Sequence, residues 1–101
     1  MKPVALITGA TSGIGEACAK KFAAGGYDLI ITARRADKLA AIQAELEGMG
    51  AKVKSLVFDV RDASAAKQAI ESLDAAWSNI AVLINNAGLV RGMEKEYMGY
   101  P

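Results

Sequence analysis

Eight residues near the N-terminus, Thr8-Gly9-Ala10-Thr11-Ser12-Gly13-Ile14-Gly15, set glycines at 9, 13 and 15 between an apolar run and a segment of helical period. Each glycine has its own physical use in such a turn. Gly9 permits a tight exit from the preceding strand. Gly13 has no side chain to hold a diphosphate away from the backbone, and Gly15 lets the helix pack close to the sheet. The helix that opens here offers unpaired N–H groups and the positive end of its dipole to an anion, and the hydroxyls of Thr11 and Ser12 can add donors. Taken alone, the same residues also fit an ordinary glycine-rich connection from strand to helix.

A second cluster qualifies the first. A site for a dinucleotide with a free ribose places Asp or Glu about 20 residues beyond the glycines, where it accepts from the 2′-hydroxyl. Here that stretch reads Ala33-Arg34-Arg35, and the first carboxylate, Asp37, falls inside the start of a helix. Two cations at a helix N-terminus oppose its dipole at a cost of about 0.3–1 kcal/mol each. A bound dianion such as a ribose 2′-phosphate reverses that cost, and the planar fork of arginine suits phosphate. Arg34 and Arg35 therefore point to NADP(H) rather than NAD. Solvated surface arginines are the plain alternative.

These residues need elements to hold them, and the sequence alternates strand with helix. Val4-Ala5-Leu6-Ile7-Thr8 is a short apolar run closed by Gly9, the pattern of a strand buried on both faces. From Gly13 the period changes. Ile14, Cys18 and Phe22 fall at i, i+4 and i+8, which predicts a helix burying that face, with Glu16, Lys20 and Lys21 outward and Gly25-Gly26 as its stop. Cys18 on that face reads as core packing, not as a reactive thiol. Residues 28–33 form a second strand, and Leu39, Ile42, Leu46 and Met49 mark one face of a second helix ending near Gly48 and Gly50. Residues 53–58 form a third strand. Asp62 is placed to cap a third helix with the stripe Ala66, Ile70, Leu73 and Trp77, and residues 80–84 form a fourth strand before Asn85-Asn86-Ala87-Gly88.

Strands separated by helices imply crossovers and a parallel sheet. Right-handed crossovers put the first two helices on one face as the chain steps outward through strands one to three. If it then returns past strand one, the third helix covers the other face and the order becomes 3-2-1-4. A nucleotide binds where that order reverses, at the carboxyl ends of strands one and four. The glycine turn and the Asn-Asn-Ala-Gly segment both fall there.

Composition narrows the remaining classes. With 101 residues the chain holds one domain at most, residues 1–101. A balance of 12 Lys and Arg against 11 Asp and Glu gives no electrostatic reason to expect nucleic acid or an anionic membrane. The single Cys forms no internal disulfide, and the absence of His removes the usual parts of a zinc site or a Ser-His-Asp triad. No segment approaches the roughly 20 apolar residues of a membrane span, and the N-terminus runs into a strand rather than a signal peptide. A reduced, cytoplasmic compartment is expected.

Thr8-Gly9-x-x-x-Gly13-x-Gly15, Asp59-Val60 after the third strand and Asn85-Asn86-Ala87-Gly88 after the fourth together resemble the short-chain dehydrogenases/reductases. The resemblance covers essentially the whole chain. It implies a Rossmann-type three-layer α/β/α fold, truncated here after strand four. It further implies that Asp59 and Val60 lie at the adenine ring, that Asn86, Ala87 and Gly88 line the cofactor and steady the sheet, and that the intact protein is a homo-oligomer. Residues 88–94 resemble, more narrowly, the NADP-dependent serine/3-hydroxy acid dehydrogenases.

The family's reaction is hydride transfer between a nicotinamide and an alcohol or carbonyl. It uses a tyrosine as acid/base, four residues before a lysine that lowers its pKa, since an unperturbed tyrosine near pKa ~10 is a poor acid/base at neutral pH. Residues 1–101 contain Tyr27, Tyr97 and Tyr100 but no Tyr-x-x-x-Lys, so no catalytic residue is assigned. The chain matches the cofactor-binding first half of the family, and a fragment, a truncated reading frame or an unfinished gene model is expected. An open edge on strand four and a thinly covered sheet face predict marginal stability without a partner. A monodisperse monomer melting cooperatively at about 60 °C without ligand would contradict this. Two functions compete: an NADP(H)-dependent oxidoreductase by descent, and a non-catalytic dinucleotide-binding module completed by a partner. A methyltransferase with a similar turn is disfavoured, because S-adenosylmethionine has no 2′-phosphate for the arginines.

Overall fold

The apolar runs form strands because each can bury both of its faces. Every residue of strand β1 (Val4–Thr8) is buried, as are all but the first of β2 (Asp28–Ala33), whereas β3 (Val53–Val57) mixes buried Val53 and Leu56 with exposed Lys54 and Val57, and β4 (Ile80–Asn85) is only partly buried along most of its length. That gradient is the signature of two central strands and two outer ones. The computed structural model describes residues 2–59, 61–77 and 79–86, and in it the strands pair in parallel in the expected order β3-β2-β1-β4. Helices α1 (Gly13–Ala24), α2 (Ala36–Gly48) and α3 (Ala63–Glu71) connect them, with one 3₁₀ turn at Ala75–Trp77 before β4.

Two cores lie on opposite faces of the sheet. Ala19 and Ala23 of α1 and Leu39, Ile42 and Leu46 of α2 pack on Ala5, Ile7, Leu29 and Ile31. Ala66 and Ile70 of α3 pack on Val4, Leu6, Ile30 and Leu56. The helices thus change face between β3 and β4, which places the topological switch between β1 and β4. The β1–β4 register slips between Val4 and Ala5, bringing Thr8 opposite Asn85 and leaving Asn86 just beyond the strand. Among the described residues, no strand pairs with the outer edge of β4.

Three expectations change in detail. The buried face of α1 is Gly15, Ala19 and Ala23, one residue round from Ile14, Cys18 and Phe22. The helix lies so close to the sheet that only small residues fit beneath it. Phe22 is displaced to the flank, edge-on to Tyr27 with ring centroids 4.9 Å apart, and Cys18 is half-buried beside the same core. Ile14 is left 72 % exposed. Met49, expected on the buried face of α2, is its exposed C-cap. Helix α3 is capped as expected, Asp62 accepting from the Ala65 amide at 3.1 Å, but it ends at Glu71. Ser72 Oγ donates to the Ala69 carbonyl at 2.6 Å, a local bond that competes with helix continuation. Leu73 and Trp77 still reach the α3-side core, from the turn and the 3₁₀ segment.

Thr32 is fully buried in β2, and among the described residues its hydroxyl has no hydrogen-bond partner. An unpaired buried hydroxyl costs about 1–3 kcal/mol, and valine matches threonine in shape. Thr32→Val is therefore expected to raise the unfolding free energy by about 1 kcal/mol in a denaturant titration; a loss of stability would show that the hydroxyl is paired.

Candidate functional site

The carboxyl ends of all four strands border one open cleft of about 450 Å³. The turn after β1 contributes Gly9, Thr11 and Ser12, and the end of β2 contributes Ala33 and Arg34. Phe58, Asp59 and Arg61 follow β3, and Asn86 follows β4. Backbone bonds hold these loops to one another. The Ala10 amide donates to the Thr32 carbonyl at 3.1 Å, and the Phe58 amide to the Ala33 carbonyl at 3.1 Å.

The glycine turn is built around Ser12. Gly9 leaves β1 with φ 63°, in the left-handed region that glycine enters freely. Ser12 is the N-cap of α1. Its hydroxyl donates to the Gly9 carbonyl at 3.0 Å and accepts from the Gly15 amide at 3.2 Å. Asn86 Nδ2 donates to the same hydroxyl at 2.6 Å and to the Gly9 carbonyl at 3.2 Å, tying the end of β4 to the turn. The one proton on Ser12 Oγ is thus used inside the turn. Thr8, fully buried beneath it, donates to Asn85 Oδ1 at 3.1 Å.

The first helical amides, Gly13 and Ile14, have no partner among the described residues, since the Ser12 side chain and carbonyl take the amides of Gly15 and Glu16. A Cβ on Gly13 would meet none of the described residues within 4 Å, so among them the backbone there is open to an approaching group. A Cβ on Gly15 would lie 2.1 Å from the Gly9 carbonyl oxygen. The two glycines do opposite things: one clears space outward, the other permits contact inward.

The arginines divide. Arg34 is exposed, lines the cleft and makes no ion pair among the described residues. Arg35 is the N-cap of α2, gives no side-chain cap bond, and pairs with Asp37 at 3.7 Å. It is not among the cleft-lining residues, and neither is that carboxylate. Free amides, an open glycine backbone and an unpaired guanidinium at the end of β2 fit a phosphorylated dinucleotide.

Arg61 and Phe58 line the cleft and were missed from the sequence. Arg61 gave a local signal, because it stands two residues after Asp59, where a carboxylate commonly accepts a backbone amide. Asp59 Oδ1 does accept from the Arg61 amide at 2.9 Å, and Oδ2 accepts from Arg61 Nη2 at 2.8 Å. The guanidinium bonds, then the backbone bond, hold the Asp59 carboxyl at about 2 rather than its ordinary 3.8. The folded value lies below the unfolded one, so the stabilisation is present above pH 3.8 and is lost as pH falls toward 2. The carboxyl carbon resonance of Asp59 is expected to titrate near 2; a midpoint at 3.8 would mean the pair does not form. Val60, Ala87 and Gly88, the other residues that the resemblance places at the cofactor, lie outside the described residues.

A parallel sheet whose order reverses beside a glycine turn, with a helix N-terminus facing the crevice, defines the nucleotide-binding doubly wound α/β class. Within that class the chain belongs to the short chain dehydrogenase family, whose model matches residues 3–98. It is similar to a probable NADP-dependent dehydrogenase of Haemophilus influenzae, 46 % identical over 90 residues that cover 89 % of this chain and 34 % of the relative. An NADP-dependent 3-hydroxy acid dehydrogenase of Salmonella typhi is 43 % identical over 91 residues, covering 90 % and 36 %. Among solved structures, L-sorbose reductase of Gluconobacter frateurii, complexed with NADPH and L-sorbose, superposes with a TM-score of 0.79 at 35 % identity, covering 87 % of this chain and 34 % of that one. The chain spans about a third of the length of the curated relatives it matches. Among the described residues, no helix is long and apolar enough to cross a membrane.

Proposed function

We propose that this chain binds NADP(H), as the cofactor-binding part of an oxidoreductase that moves hydride between the nicotinamide and an alcohol or carbonyl substrate. The observation that carries the reading is Arg34: a guanidinium with no ion pair among the described residues lines the cleft at the end of β2, where a site for an unphosphorylated ribose needs a carboxylate. The amides of Gly13 and Ile14 would take the diphosphate, with Thr11 beside them. Ile14, exposed at the start of α1, offers an apolar surface to the bound dinucleotide. Ser12 and Asn86 hold the turn in shape, and Thr8 supports it from below. Names of relatives support the cofactor and the substrate class, including an NADP-dependent 3-hydroxy acid dehydrogenase and a reductase complexed with NADPH. When bound, the nicotinamide supplies or takes the hydride; this chain's own residues bind and orient it. Residues 1–101 include no Tyr-x-x-x-Lys, so the proton-transfer pair is not assigned within them.

Thermal unfolding with each dinucleotide tests the reading. A ligand at 100 times its Kd adds about 2.7 kcal/mol to the native state. NADPH is expected to raise the melting temperature well above the value reached with the same concentration of NADH. Equal shifts would overturn the role given to Arg34.

A further inference from the structure

Among the described residues the cleft holds one carboxylate, Asp59, in the same pocket as the arginine proposed to receive a dianion. A bare carboxylate there works against a 2′-phosphate, since like charges in a partly enclosed site repel more strongly than in bulk water. Arg61 covers it. Its Nη2 lies 2.8 Å from Asp59 Oδ2, and its Nε lies 3.2 Å from each carboxylate oxygen, so the two planar groups meet fork to fork. The backbone reinforces the arrangement, because the Arg61 amide bonds the same carboxylate at 2.9 Å. Arg34 is close enough to Asp59 to act on it electrostatically, yet the two form no ion pair. Arg61 therefore engages the carboxylate that shares the cleft with Arg34.

We infer that Arg61 is a specificity-determining residue: by neutralising Asp59 it keeps Arg34 available for the 2′-phosphate and favours the phosphorylated dinucleotide over the unphosphorylated one. The inference rests on the NADP(H) reading above. It assigns Arg61 a positioning role, with no contact of its own to the phosphate. Losing the neutralising charge adds repulsion toward the 2′-phosphate, whereas any change at the adenine or the 5′-phosphate acts on both ligands alike.

The test uses 2′,5′-ADP and 5′-AMP, which differ in the 2′-phosphate, titrated calorimetrically into the 101-residue chain. The readout is the ratio of the two affinities, which a purely structural defect would leave unchanged because it weakens both ligands alike. Arg61→Gln is expected to lower the ratio about three- to tenfold. The double variant Asp59→Asn/Arg61→Gln is expected to recover it, since the carboxylate that needed neutralising is gone. An unchanged ratio in Arg61→Gln overturns the inference. A double variant as poor as Arg61→Gln overturns it too, by showing direct contact between Arg61 and the phosphate. If the unsubstituted chain shows no preference for 2′,5′-ADP, the NADP(H) reading itself fails; a clear preference with an insensitive Arg61→Gln removes only the role of Arg61.

Discussion

Gly15→Ala is expected to destabilise the chain by about 3 kcal/mol and to remove dinucleotide binding with it. The added methyl would sit 2.1 Å from the Gly9 carbonyl oxygen and 2.9 Å from Asn86 Nδ2. Neither neighbour can give way cheaply. Gly9 is backbone in a left-handed turn, and Asn86 is committed to two hydrogen bonds. Alanine is the better helix former by about 1 kcal/mol, so propensity opposes the clash but does not outweigh it. Gly48→Ala supplies the contrast. Gly48 ends α2 and a Cβ there meets nothing within 4 Å, so the same chemical change is expected to be neutral or to stabilise by up to about 1 kcal/mol. Denaturant titrations of the two variants check the claim, and similar losses in both would contradict the close packing of α1 on the glycine turn.

Arg34→Ala is expected to cost about 2 kcal/mol of NADPH affinity, roughly 30-fold, while changing NADH affinity little. The asymmetry follows from geometry: the side chain lines the cleft with no ion pair among the described residues, so its removal deletes a phosphate ligand and little else. Arg35 is already engaged with Asp37 at 3.7 Å and is not a lining residue. Its contribution is long-range and screened, so Arg35→Ala is expected to cost about threefold. Calorimetric titration with each dinucleotide separates the two arginines. Equal losses for NADPH and NADH in Arg34→Ala would mean the residue serves the fold or the adenine rather than the phosphate.

The sheet was legible in the sequence because its strands are uninterrupted apolar runs ended by glycine or a polar turn, and because short crossovers of fixed hand leave few topologies. Strand order and the distribution of helices over the two faces followed from that rule. The orientation of α1 did not. Apolar volume favours the Ile14, Cys18 and Phe22 face, but close approach selects the face with the least volume, and periodicity alone does not encode how near a helix will come. Ile14, at the start of α1, is the most exposed of the large apolar side chains among the described residues. The end of α3 was overread for a similar reason, since the apolar spacing continues past Ser72 although the hydrogen bonding does not.

At the site, the glycine turn was readable because each glycine answers a local backbone demand. Arg34 and Arg35 are equivalent in sequence and become distinct only when Asp37 takes one of them. Arg61 could not be placed without knowing that the end of β3 converges on the end of β2, which the Phe58 amide accomplishes by donating to the Ala33 carbonyl. Asn86 bonding Ser12 across 74 positions of sequence is likewise a product of topology.

The decisive experiment is a crystal structure of the chain grown with NADPH. The ribose 2′-phosphate is expected within about 3 Å of the Arg34 guanidinium, and diphosphate oxygens at similar distance from the Gly13 and Ile14 amides. A dinucleotide bound elsewhere, or one whose 2′-phosphate lies in solvent clear of Arg34, would contradict it.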